Sequence, residues 1–254
     1  WPTYRHDSGR SSHTSMDVPA ELEPAWRTEL GGKLSAPTIA DGRLTVASVN
    51  SHTVTALDAE SGDALWDFTA GGRVDSPPTL HGGRALFGSR DGYVYSVRAS
   101  DGKLGWRLQA ARDQRLITTR RQLESASPLH GSVLVRDGVA YFTAGRSSYL
   151  GDGIDLYRVR PETGKILSRA SVYSPDPETG RQPEQYGPAY MPGARWAILS
   201  SDDEHVYMRD SVFTHDGEAV DERSPHLFTL TGFLDENWAH RSYWVFGSRC
   251  SIST

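Results

Sequence analysis

Ala56-Leu57-Asp58-Ala59-Glu60-Ser61-Gly62-Asp63-Ala64-Leu65-Trp66 returns as Val97-Arg98-Ala99-Ser100-Asp101-Gly102-Lys103-Leu104-Gly105-Trp106: an apolar run, a turn, a glycine and a closing tryptophan. Working outward, Trp26, Trp66 and Trp106 fall 40 residues apart, and each opens a short strand-like segment. Pro37-Thr38 comes back as Pro78-Thr79, Asp41-Gly42-Arg43 as Gly82-Gly83-Arg84, and Ser48 as Ser89. Self-similarity at about 40 residues is the period of a propeller blade, a unit that cannot bury both sheet faces alone.

Within the first unit the runs Ala36 to Ala40, Leu44 to Val49, Thr53 to Leu57 and Ala64 to Phe68 are divided by Asp41-Gly42 and Ser61-Gly62. β-Branched runs separated by two-residue turn signals read as consecutive antiparallel hairpins. The reading is all-β: a propeller of four-stranded blades spanning 26–254 after an N-terminal segment at 1–25. Blades fall at about 34–69, 75–109, 131–172 and 194–231, and an incomplete one at 241–254. In the fourth, Leu227 to Leu230 is expected as the outer strand, and Tyr243 to Phe246 opens the fifth.

Composition narrows the function. The 254 residues carry 27 basic and 32 acidic side chains, a net charge of -5, which argues against a nucleic-acid partner needing a basic face. No apolar run approaches the roughly 20 residues of a membrane span. Cys250 is the only cysteine, so no internal disulfide or cysteine-rich metal site is available. The chain opens at Trp1 with neither an initiator Met nor a signal-type stretch, which suggests a processed terminus or an excised segment.

The two quoted phrases, with Pro161-Glu162-Thr163-Gly164-Lys165 as a partial third copy, resemble the "ALDxxTGxxxW" repeat of PQQ-like β-propellers. That family includes quinoprotein dehydrogenases and BamB-type outer-membrane assembly scaffolds. The opening Trp1-Pro-Thr-Tyr-Arg-His-Asp is similar to the start of planctomycete members. The resemblance implies a ring of seven or eight blades, with the remainder supplied by a longer precursor or another chain, and a periplasmic or secreted location. It also implies, for the dehydrogenases, a vicinal cysteine pair over the quinone and carboxylate and amide ligands for calcium. Here there is one cysteine and only Asn50 and Asn237. PQQ with calcium is therefore expected only if the missing blades supply its ligands, and no cofactor or metal site is assigned.

The connectors into the third to fifth blades, at 112–131, 173–195 and 232–241, are long, and propeller topology gathers such loops on one rim. They carry Arg115, Arg120, Arg121 and Glu124, then Tyr186, Tyr190 and Met191, then Trp238, His240, Arg241 and, just beyond, Tyr243. Arginines with aromatics suit a protein hot spot or a glycan platform, and the bland alternative is that they only pin their own loops. Catalytic signals are weak. Gly145-Arg146-Ser147-Ser148-Tyr149 lacks the second glycine of a nucleophile elbow, and Asp202-Asp203-Glu204 reads as a solvated turn. The favoured expectation is a non-catalytic scaffold binding protein or glycan through that rim. The rival is a degenerate quinoprotein oxidoreductase or carbohydrate-active enzyme, with His240 as base beside Arg241 and with Glu124 and Tyr190 on the same rim.

Overall fold

The computed structural model of the chain describes residues 1–119, 121–148, 153–176, 178–181, 197–209, 211–221, 224–229 and 244–248. The first blade is β1 (Thr38–Ala40), β2 (Arg43–Ser48), β3 (Thr53–Asp58) and β4 (Ala64–Thr69). The second is β5 (Thr79–His81), β6 (Arg84–Gly88), β7 (Tyr93–Arg98) and β8 (Leu104–Gln109). A separate hairpin, β9 (Leu116–Thr119) and β10 (Gln122–Ser125), precedes the third blade. That blade is β11 (Leu129–Arg136), β12 (Val139–Ala144), β13 (Ile154–Val159) and β14 (Ile166–Val172). The fourth is β15 (Ser200–Ser201), β16 (His205–Met208), β17 (Ser211–Thr214) and β18 (Ala219–Val220), and a two-stranded sheet follows, β19 (His226–Thr229) with β20 (Trp244–Gly247).

Successive side chains on a strand point to opposite faces, and here each face meets a different neighbour. In β6, Ala85 and Phe87 join the core between the first and second blades, while Leu86 joins the core between the second and third. A third core, with Leu134, Ile154, Leu199, Val206 and Phe213, lies between the third and fourth blades. Burial fades outward: β6 and β7 are nearly all buried, whereas β4, β8 and β14 are largely exposed. This explains why the middle strands read as unbroken apolar runs.

The tryptophans fasten blade to blade. Trp66 Nε1 donates to Ala99 O at 2.8 Å and Trp106 Nε1 to Pro161 O at 2.8 Å. Each indole lies flat on the glycine of the next blade's outer turn: a Cβ on Gly102 would sit 2.7 Å from the Trp66 ring, and one on Gly164 would sit 2.8 Å from Trp106. Both glycines also hold positive φ, at +68° and +71°, so conformation and space both require glycine. Nearer the centre, Thr38 Oγ1 donates to Pro78 O, Thr79 Oγ1 to Val133 O and Ser200 Oγ to Leu227 O, one hydroxyl latch from an inner strand to the next sheet.

The N-terminal segment divides in two. Trp1 to Ser12 packs across the inner strands: Trp1 O accepts from Ile39 N, Pro2 O from Leu80 N and Ser8 O from Ser201 N. Fully buried Arg10 donates to Thr3 Oγ1, Tyr4 O and Leu199 O. Residues 13–30 run largely exposed and pair with no strand, so Trp26 to Leu30 is not the β-strand expected. Trp26 still docks on the first blade, its Nε1 donating to Ala59 O at 3.1 Å.

Two boundaries differ from expectation. The outer strand of the fourth blade is β18, not Leu227 to Leu230; His226–Thr229 instead pairs with Trp244–Gly247 and starts the fifth sheet. The 232–241 connector thus joins two strands of one sheet rather than leading into an inner strand. Trp244–Gly247 is that sheet's second strand.

Candidate functional site

The long 112–131 connector gives the rim its best-defined structure. β9 and β10 pair in register from Gln122 with Thr119 to Ser125 with Leu116, and Arg121 turns the hairpin at φ +65°. Leu116, Ile117 and Leu123 face solvent, Leu123 at 62% exposure. Arg115 is exposed and pairs loosely with Asp113, and Arg121 is exposed as well. At the edge of the hairpin, Gln122 Oε1 accepts from His52 Nε2 at 2.9 Å and Gln122 Nε2 donates to Asn50 O, tying it to the first blade.

Beneath the hairpin three loops meet in a short backbone ladder. Arg90 N donates to Arg73 O, and Ser125 N donates to Arg90 O. Gly72 permits the close approach: a Cβ there would lie 2.6 Å from Asp91 N. The ladder aims the side chains of Arg73, Arg90 and Glu124 at one another, and Arg146 closes the group from the loop after β12.

Glu124 has 0% exposure. Its Oε1 accepts from Arg73 Nε at 2.8 Å and from Arg73 Nη2; its Oε2 accepts from Arg146 Nη2 at 3.1 Å and Arg90 Nη1 at 3.4 Å. Arg90 also donates through Nε to Asp75 Oδ2 at 2.7 Å, and Arg146 Nη2 donates to Ser125 O. Burial pushes the Glu124 carboxyl upward, but the Arg90 charge and the hydrogen bonds from Arg73 and Arg146 outweigh it and hold the group below its ordinary value. Burial lowers Arg146 despite Glu124, and the like charges of Arg90 and Arg73 lower it further. Nearby, Asp155 is gripped bidentately by Arg112 at 2.7 and 2.8 Å and accepts from Ser171 Oγ.

The structure therefore places Glu124 away from the open rim and gives it a holding role. An ionised carboxylate saturated by arginines is a poor general acid or base at neutral pH. Arg115 and Arg121 lie on the hairpin that Glu124 anchors. Arg120, Tyr186, Tyr190, Met191, Trp238, His240, Arg241 and Tyr243 lie outside the described residues. Arg73, Asp75, Arg90 and Arg146 were not among the sequence candidates. A signal existed: Ser48 and Ser89 are equivalent repeat positions, so Arg90 stands where the sister blade has Val49, a charge in an apolar slot. Asp202 caps its own turn by accepting from Glu204 N and His205 N, as a solvated turn would.

Among the described residues no three His, Cys, Asp or Glu side chains stand close enough to share a metal ion, and no helix is long and apolar enough to cross a membrane. Glu124 and Asp155 are each held by arginines, so neither presents a free carboxylate to a cation.

Repeated four-stranded sheets, clamped by tryptophan on glycine and crowned by loops, define a β-propeller of the PQQ-like kind. The chain belongs to the family described as outer membrane protein assembly factor BamB, whose model matches residues 23–185. Relatives so named from Burkholderia pseudomallei and Nitrosomonas eutropha are each 33% identical, over 84 and 85 residues. The matched stretches are 33% and 34% of this chain and 22% and 20% of those relatives, so it spans about a fifth of their length. Among solved structures, a quinohemoprotein alcohol dehydrogenase from Comamonas testosteroni superposes with a TM-score of 0.57 at 21% identity, covering 70% of this chain and 28% of that one. A europium-containing methanol dehydrogenase gives 0.54 at 14% identity, covering 87% and 48%. At these identities the likeness is one of fold.

Proposed function

We propose that the protein is a non-catalytic scaffold of the bacterial envelope, periplasmic or secreted, which holds a protein partner on its long-loop rim. The observation that carries this reading is the β9–β10 hairpin: two short strands exposing Leu116, Ile117 and Leu123, fixed from below by the Glu124 ion pairs. Apolar side chains held rigidly on a rim gain contact area without first losing much conformational freedom. Arg115 and Arg121 flank the patch and supply orienting charge. Tyr186, Tyr190 and Met191, in the connector into the fourth blade, extend the same rim in this reading. Further blades, from the remainder of a longer chain or from another chain, complete a ring of seven or eight.

The relatives' description as assembly factors supports this role over the enzymatic one. The alternative, a quinoprotein-type oxidoreductase or carbohydrate-active enzyme using His240 and Arg241, draws support from a shared fold.

Photo-crosslinking from position 117 or 123 of the full-length protein, in its native cell, tests the proposal. A discrete protein adduct that disappears with Leu116→Asp is the expected result. Turnover of an alcohol or sugar by the purified protein given pyrroloquinoline quinone and calcium, lost in His240→Ala, would overturn it.

A further inference from the structure

The β9–β10 hairpin has an open edge as well as exposed side chains. Ala126 N donates to Arg115 O, so by antiparallel alternation the bonded pairs continue at Ile117 with Glu124 and at Thr119 with Gln122. Ser125 N points the other way and donates to Arg90 O, as the same alternation requires. On β9 the N–H and C=O groups of Leu116 and Thr118 therefore face away from β10. Among the described residues no strand pairs with that side of β9, and Leu116, Ile117 and Thr118 are all exposed.

An open strand edge invites a further strand, and folded proteins usually blunt it with a charge, a proline or a very short strand. The outer strands of the blades follow that rule. β4 carries Asp67, β8 carries Arg107 and β14 carries Arg169, each exposed, and β18 has only two residues. β9 reads Leu116-Ile117-Thr118-Thr119, with no charge, no proline and three β-branched side chains that favour extended backbone. The charges stand at its ends instead: Arg115 precedes it and Arg121 lies in the turn beyond it, both exposed. Leu116 and Leu123 share one face of the hairpin, because Leu123 pairs with Thr118, two residues on from Leu116.

We propose that β9 is a docking edge, to which an extended segment of a protein partner, apolar in its middle and acidic at both ends, adds as a third strand. Backbone bonds to Leu116 and Thr118 supply affinity, Leu116 and Leu123 select apolar side chains on one face, and Arg115 and Arg121 select the acidic ends. A second copy of this chain suits the edge poorly, because its own Arg115 and Arg121 would come with it. The inference rests on the scaffold reading and specifies how that partner is held.

The test uses the full-length protein and a short synthetic peptide of alternating valine and threonine with glutamate at both ends. In residue-resolved amide hydrogen exchange, the peptide is expected to slow Leu116 and Thr118 and to leave Ile117 and Thr119, already bonded within the hairpin, unchanged. Equal slowing at all four, or none at millimolar peptide, would overturn the proposal. Thr118→Pro removes an N–H that the hairpin does not use, at an edge position where proline is tolerated. It should weaken peptide binding about tenfold, since one donor is lost and a partner carbonyl is left unpaired, whereas Thr118→Val should bind as the parent does. Retained protection at Ile117 and Thr119 shows that the hairpin is intact in the proline variant, and the exchange pattern of the parent decides the matter if it is not. Equal binding of a peptide with lysine at both ends would overturn the acidic partner, and protection of Leu116 and Thr118 that grows with protein concentration alone would assign the edge to a second copy instead. In cells, a protein adduct from position 123 that persists in Thr118→Pro would overturn edge pairing while the scaffold reading stands. No adduct in the parent would count against the scaffold reading itself.

Discussion

Glu124 shows how much one residue's surroundings decide. A carboxylate on a long arginine-bearing loop reads as a rim acid, yet its oxygens are consumed by Arg73, Arg90 and Arg146, which lie 51, 34 and 22 residues away along the chain. Glu124→Gln removes the charge of a fully buried carboxylate and leaves Arg73 and Arg146 without that partner, a change expected to cost about 3–5 kcal/mol in urea unfolding. The pH dependence has a definite sign. Glu124 and Asp155 are both held below their ordinary values, so their contribution is fully present above the unfolded carboxylate range near about 4 and is lost as pH falls through the lower folded values. The urea midpoint of the parent protein should therefore drop more steeply than that of Glu124→Gln between about pH 5 and pH 2. Matching profiles would show that Glu124 is not ionised in the fold.

At the scale of the element, the indole-on-glycine clasp separates two costs that are usually mixed. Gly42 and Gly102 share nearly the same φ, +70° and +68°, but a Cβ on Gly42 meets nothing within 4 Å while one on Gly102 strikes the Trp66 ring. Gly42→Ala should lose only the backbone penalty, about 1 kcal/mol, and Gly102→Ala about 2–4 kcal/mol because the indole must also move. Chemical denaturation of the two variants side by side checks this, and equal losses would mean that Trp66 gives way freely. Strands of the first three blades are legible in sequence because alternation and turn glycines are local signals. The fourth blade is not, since β18 has only two residues, and His226–Thr229 has the same short apolar pattern whether it closes one sheet or opens the next. Partner choice between strands is a long-range matter that pattern alone does not encode.

Across the whole molecule, Trp1 to Ser12 binds the sheets to one another. Arg5, His6, Arg10 and Ser12 all take positive φ, a costly sequence of conformations held in place by the backbone bonds to Ile39, Leu80 and Ser201. Arg10 sits at the middle, its guanidinium pulled down to about 10 by burial and its hydrogen bonds made to uncharged acceptors. Arg10→Met removes those bonds together with the buried charge, so the two effects partly offset, and a loss of about 2 kcal/mol is expected. The informative readout is hydrogen exchange. Amides of Ile39, Leu80 and Ser201, in three different blades, should lose protection together, and loss at Ser201 alone would show that the segment does not act as one unit. Tyr4 stacked at 6.4 Å on Trp244 and Arg5 above the same indole carry this segment's reach to the last sheet.

What the sequence determined by itself was the repeat, the all-β blades, the glycine turns and the family likeness, because each is written in residues close together or at a constant period. Which strand ends the fourth blade, that Trp1 to Ser12 spans several sheets, and that three arginines converge on Glu124 were decided only by the tertiary structure. The physical reason is that these contacts join segments far apart in the chain, and their energy, from backbone pairing in the first two and from buried charge against charge at Glu124, exists only once the blades have packed.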